Sequence, residues 1–159
     1  MNNFDDHLPD TLTFYLHSNH PIISVIWENN TLKFYSSYSF YNTEKVEMGK
    51  PEFEDWMIFW NKINKLDVWD WKEDYCYKGG DYLNGLIWHL EIEYNDKKVC
   101  CRGHNCFPPY NINRQTKIFV KMIEAFIDLG FSVVEEEKET AAQEKTDRRE
   151  VLSKRVPAN

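Results

Sequence analysis

The strictest constraint on this chain is an alternation that runs through Leu86–Tyr94 and resumes after Asn95-Asp96. Leu86, Trp88, Leu90, Ile92 and Tyr94 fall on one side of an extended chain, and Ile87, His89, Glu91 and Glu93 on the other, the period of a half-buried strand. Folding about Asn95-Asp96 sets Ile92 opposite Val99, Leu90 opposite Cys101, Trp88 opposite Gly103, Glu93 opposite Lys98 and His89 opposite Arg102. Apolar then meets apolar, Glu meets Lys, and Gly103 leaves room beside an indole. A slip of one residue would turn every side chain to the wrong face, so the hairpin implies a sheet with one buried side.

A second hairpin follows the same logic in IISVIWENNTLKFYSS. A turn at Asn29-Asn30, residues that tolerate the positive φ of a tight hairpin turn, pairs Trp27 with Leu32, Val25 with Phe34 and Ile26 with Lys33. Ile23, Val25, Trp27, Leu32 and Phe34 are the predicted core face. Ahead of it, Leu12, Phe14 and Leu16 alternate with Thr11, Thr13, Tyr15 and His17, which predicts a strand ended by Ser18-Asn19-His20-Pro21, with His17 facing solvent or a partner. The first ten residues offer only Phe4 and Leu8 for burial and are expected to fray, with order beginning at Thr11. A loop and a short strand near Val46 are expected after SYSF.

Helical signals come next. Pro51 and the acidic Glu52, Glu54 and Asp55 suit a helix start, and Phe53, Trp56, Trp60 and Ile63 recur at helical spacing with Met57 and Phe59 beside them, predicting a helix over 51–65. Residues 68–71 read as β-type, and Gly79-Gly80 with Asn84-Gly85 predict a long loop. CFPPYNIN is a rigid connector, after which Asn111 or Asn113 can cap a helix carrying Ile118, Phe119, Met122, Ile123, Phe126 and Ile127. Gly130 is the expected left-handed stop, residues 131–134 a short closing strand, and residues 135–159 a charged, flexible tail or a loose helix. The expected fold is α+β: an antiparallel sheet built from hairpins, with two amphipathic helices packed on one face. A chain of 159 residues that is 42% hydrophobic has material for one core, placed over residues 11–134.

The net charge of −7 opposes binding to nucleic acid or to an anionic membrane and suits a basic protein partner. No apolar run approaches the ~18 residues of a membrane span, so no membrane association is expected. The opening MNNFDDHLPD is polar and acidic where a secretory signal is basic and then apolar, which predicts a cytoplasmic protein whose 4 cysteines are reduced.

Cys100-Cys101-Arg102-Gly103-His104-Asn105-Cys106 holds the residue types that bind zinc, but it lacks a paired spacing, and the hairpin register sends Cys100 and Cys101 to opposite faces. No metal site and no cofactor are expected. A thiol nucleophile, Cys100 or Cys106 with His89 or His104, lacks an elbow or oxyanion site around it. The carboxylates Asp70, Asp74, Asp81 and Glu91 read as solvated, and Gly79-Gly80 lacks the rest of a phosphate loop. No catalytic residue is assigned. Tyr35, Tyr38, Tyr41, Tyr75, Tyr77 and Tyr82 fall outside the core stripes, and tyrosine suits protein interfaces because it buries area at low entropic cost. The candidate binding residues are Tyr75, Tyr77, Tyr82, His89, Glu91, Arg102 and His104.

Trp69-x-Trp71, then Asn84-Gly85-x-x-Trp88-x-Leu90, then Gly103-x-Asn105-x-x-Pro108 ahead of an amphipathic helix resemble a group of small bacterial domains with a DG-x-x-W-x-L strand and a G-x-N-x-x-P corner. The likeness covers about residues 56–130, with Asn84 in place of the usual Asp and Cys106-Phe107 filling the corner. The resemblance implies mainly the fold; some members are similar to immunity or antitoxin partners of toxins. The expectation is therefore a non-enzymatic protein-binding domain of that kind, set against a zinc- or thiol-dependent enzyme using the Cys100–Cys106 region.

Overall fold

Both hairpins form in the expected registers. In the computed structural model, which describes residues 6–37, 42–43, 45–76, 85–109, 111–112 and 115–153, β2 (Pro21–Glu28) pairs β3 (Thr31–Ser36) with Val25 opposite Phe34 and Trp27 opposite Leu32. Asn29 and Asn30 supply the turn at φ 53° and 55°. The later hairpin, β6 (Ile87–Tyr94) with β7 (Lys97–His104), sets Trp88 against Gly103 and Leu90 against Cys101.

β1 (Thr11–His17) lies between the hairpins. It pairs antiparallel with β2 on one side and with β6 on the other, so that Phe14 faces both Val25 and Leu90. β4 (Glu47–Gly49) extends the sheet beyond β3, and β5 (Asp74–Cys76) extends it beyond β7, giving the order β4-β3-β2-β1-β6-β7-β5. The β5–β7 pair is parallel, so the sheet is mixed and not wholly antiparallel as expected. Residues 68–71, expected as extended chain, instead make a 3-10 turn over Val68–Asp70. A small second ladder joins β8 (Cys106–Phe107) and β9 (Asn111–Ile112).

Helix α1 (Phe53–Lys65) starts two residues later than the Pro51 signal suggests, with Glu52 at its N-cap and the Glu52 N–H donating to Asp55 Oδ2 at 3.0 Å. Trp56, Phe59, Trp60 and Ile63 are buried, whereas Phe53 and Met57 are exposed, so the buried stripe is narrower than predicted. The chain ahead of β1 is tied down rather than frayed from residue 6. Trp60 Nε1 donates to His7 O at 2.7 Å, Asp10 N to Glu93 O at 2.8 Å, and Leu8 packs on the core.

Helix α2 (Lys117–Ser153) passes straight through the expected stop at Gly130 and the expected strand at 131–134. Its first turn is held by Thr116, whose hydroxyl accepts from Phe119 N at 3.2 Å and donates to Pro108 O. The capping role assigned to Asn111 or Asn113 thus falls to Thr116. Gly130 serves packing, not termination: a Cβ there would lie 2.2 Å from the Phe34 ring. The ring contacts that hold the helices, Phe14 with Phe119 and Phe126, Phe34 with Phe131, Trp27 with Trp56, and Trp60 stacked on Tyr94 at 3.8 Å, all reach the same face of the sheet.

Alanine in place of glycine inside a helix ordinarily gains ~1 kcal/mol. Here the added methyl meets Phe34, so Gly130→Ala is expected to lower the urea midpoint by the equivalent of ~1–3 kcal/mol. Combining it with Phe34→Leu should recover part of that loss. A stabilised Gly130→Ala protein would place Phe34 elsewhere.

Candidate functional site

The strand registers that bury one side of the sheet assemble the other side as well. Along one cross-strand row lie Lys33, Ile26, Thr13, Glu91 and Cys100, and along the next Tyr35, Ser24, Tyr15, His89, Arg102 and Asp74. A third row holds His17, Ile87 and His104. Among the described residues no helix packs on this face, and its middle is a cluster of rings: Tyr15 stacks on His89 at 5.3 Å and meets His17 at 5.5 Å. Tyr15 and Ile87 are exposed by more than a third of their surface.

Ion pairs neutralise much of the charge on this face. Lys33 meets Glu28 at 2.5 Å, Lys98 meets Glu93 at 3.2 Å, and Arg102 reaches Asp74 at 3.5 Å. The neighbouring carboxylates hold Lys98 above, and the Lys33 ammonium holds Glu28 below, their ordinary pKa ranges. Exposed pairs of this kind add little stability. They do leave Glu91 with a different neighbour, the His89 Nε2 at 3.8 Å. Cys100 faces Glu91 across the strand pair, and the ligating atoms of His89, Glu91 and Cys100 all lie within 4.8 Å of one another.

Four of the candidate binding residues, His89, Glu91, Arg102 and His104, therefore share this face. Tyr75 does not. It sits on β5 opposite Gly103, is 4% exposed, packs against Trp88 at 5.7 Å, and accepts a hydrogen bond from Lys72 N at 2.9 Å. Burial raises its phenol pKa. Its place in the sequence, next to a glycine-rich stretch, hid a parallel strand pairing that reaches across the chain. Tyr77 and Tyr82 lie outside the described residues, as do Tyr38 and Tyr41, while Tyr35 is half-buried on the open face. His17 was expected to face solvent or a partner, whereas Tyr15 and Ile26 were not singled out from sequence; their outward alternation was visible, but only the pairing of β1 with β6 brings Tyr15 to His89.

The cysteines separate as the register requires. Cys100 is exposed, while Cys101 and Cys106 are buried. Burial pushes the Cys101 thiol up to about 12. The Gly103–Pro108 corner is structural: Asn105, at φ 49°, accepts from Leu86 N through Oδ1 at 2.7 Å, its own N–H bonds Leu86 O, and Trp88 Nε1 donates to Cys106 O at 3.0 Å. A Cβ on Gly85 would lie 2.2 Å from the Asn105 amide.

No family model, no curated protein and no solved structure matches this chain. The site thus rests on its own geometry. No helix among the described residues is long and apolar enough to cross a membrane.

Alkylation of the reduced protein at pH 8, followed residue by residue, is expected to modify Cys100 at least ~10-fold faster than Cys101 or Cys106, since Cys100 is exposed, the other two are buried, and burial holds the Cys101 thiol protonated. Equal rates for Cys100 and Cys101 would contradict the register. Cys101 also links pH to stability: its folded pKa of about 12 stands above the ordinary 9.0. The contribution is complete below about pH 9 and is lost as pH rises towards 12. Cys101→Ala is expected to show a smaller alkaline fall in unfolding free energy across that window than the unmodified chain.

Proposed function

We propose that this chain is a protein-binding domain that offers the open face of its sheet to a partner with a basic surface, in the manner of an immunity or antitoxin-type inhibitor. The observation that carries the reading is the ring cluster of Tyr15, His17 and His89, flanked by Ile26, Tyr35 and Ile87 on a face whose other side is wholly occupied by the core. Flat surfaces of aromatic and aliphatic side chains, ringed by ion pairs, have the make-up of an interface core with a polar rim. The net charge of −7 favours encounter with a basic partner. The resemblance of the Gly85–Trp88 and Gly103–Pro108 patterns to small bacterial domains, some of them immunity-like, points the same way.

The other reading, a zinc- or thiol-dependent enzyme of the Cys100–Cys106 region, finds less support, because Cys101 and Cys106 belong to the hydrophobic core while Cys100 lies on the open face. Those thiols do not converge.

The test is co-purification from the source cells with the unmodified chain, with Tyr15→Ser and His89→Ala on the open face, and with Met57→Ser on the exposed side of α1. A specific basic protein is expected to be retained at low salt, to weaken as salt rises, and to be lost by ~10-fold or more in the face variants only. Retention unchanged by the face variants, or loss confined to Met57→Ser, would overturn the proposal.

A further inference from the structure

The cluster of His89, Glu91 and Cys100 goes beyond a binding face of rings. The geometry points to a site for a divalent transition metal of the zinc type, held by His89 Nε2 or Nδ1, one Glu91 carboxylate oxygen and Cys100 Sγ. The inference does not depend on the protein-binding reading.

The arrangement follows from strand geometry. His89 and Glu91 are two residues apart on β6 and so project from the same face, and Cys100 stands directly opposite Glu91 on β7. Tetrahedral zinc, with bonds of ~2.0–2.3 Å, holds its ligand atoms about 3.3–3.6 Å apart. His89 and Glu91 already lie 3.8 Å apart, and the whole set lies within 4.8 Å, so small side-chain rotations close the site without moving the strands. Tyr15 stacked on the imidazole limits where the ring can turn.

Arg102 and Lys98 are paired with Asp74 and Glu93, and Lys98 also lies within the field of Glu91 and Cys100, so a bound cation would compete with the Lys98 ammonium there. A thiolate and an imidazole select zinc, cobalt or copper over magnesium and calcium, which require a shell of oxygens. Three protein ligands leave a fourth position for water. Binding converts the Cys100 thiol to thiolate and releases its proton to solvent. This set differs from the Cys100–Cys106 run considered from sequence. It takes one cysteine from that run and adds His89 and Glu91 from the facing strand of the same hairpin.

The experiment uses the full chain, reduced, stripped with chelator and titrated with Co²⁺ alone, then with Zn²⁺ in competition. One equivalent of Co²⁺ is expected to bind with a thiolate-to-cobalt charge-transfer band, and Zn²⁺ to abolish that band. Cys100→Ser should eliminate it, and His89→Asn and Glu91→Gln should each weaken binding by ~10-fold or more. Cys76→Ser and Cys106→Ala should keep it. Circular dichroism of each variant reports whether the fold is retained, and the open-face positions of the ligands make that the expected result. Absence of saturable Co²⁺ binding at micromolar metal, or a charge-transfer band that survives in Cys100→Ser, would overturn the site. Cys100→Ser removes a ligand without touching the ring cluster of Tyr15, His17 and His89, so it is expected to lose the metal and keep the partner, and the two proposals fail separately.

Discussion

Trp88 is the contact on which the rest of the structure depends. Its indole lies over Gly103, where a Cβ would come within 2.1 Å of Nε1, and that N–H is donated to Cys106 O at 3.0 Å. Its ring meets Tyr75 from β5, Phe119 from α2 and Trp71 after the 3-10 turn. One side chain thereby fixes the β6–β7 register, the parallel edge strand and the seat of the long helix. A one-residue slip would expose Trp88, Leu90 and Ile92, each worth ~1.5–3 kcal/mol when buried, in a domain whose whole stability is of the order of 5–15 kcal/mol. The register is therefore not negotiable.

The same constraint builds the open face. Once Trp88 and Leu90 are committed to the core, His89 and Glu91 must point the other way, and Cys100 must join them because Cys101 opposes Leu90. β1 then brings Tyr15 against His89. Neither the ring cluster nor the His89, Glu91 and Cys100 set needs a special loop. Both arise from ordinary alternation on neighbouring strands, placed on rigid elements that hold side chains more closely than loops do.

How much of this was legible in the sequence follows from how local each signal is. Hairpin registers were readable because turn residues and partner faces lie within a few residues, as at Asn29-Asn30 and Asn95-Asp96. The joining of β1 to β6 and the parallel pairing of β5 with β7 were not, because they link distant segments with no turn chemistry between them. Gly130 misled for a different reason: glycine serves both as a helix stop and as room for a neighbour, and only the position of Phe34 decides between them. The motif Gly85, Trp88, Gly103 and Asn105 proved to be a set of mutually packed groups, so its pattern speaks for the corner and the strand. Of the candidate site, His89, Glu91, Arg102 and His104 were visible as outward residues, whereas Tyr75 was lost to an unforeseen edge strand and Tyr15 was found only through its partner.

Burial of Trp88 commits one face of the sheet to the core and leaves the other accessible. Solvent paramagnetic relaxation measured on assigned isoleucine methyl and indole signals addresses it directly, with a soluble gadolinium chelate as the probe. The Ile87 methyls are expected to be strongly broadened, while the Ile92 methyls and the Trp88 Nε1–H, five and one residues away on the same strand, remain sharp. Equal protection of Ile87 and Ile92, or broadening of the Trp88 indole, would contradict the account.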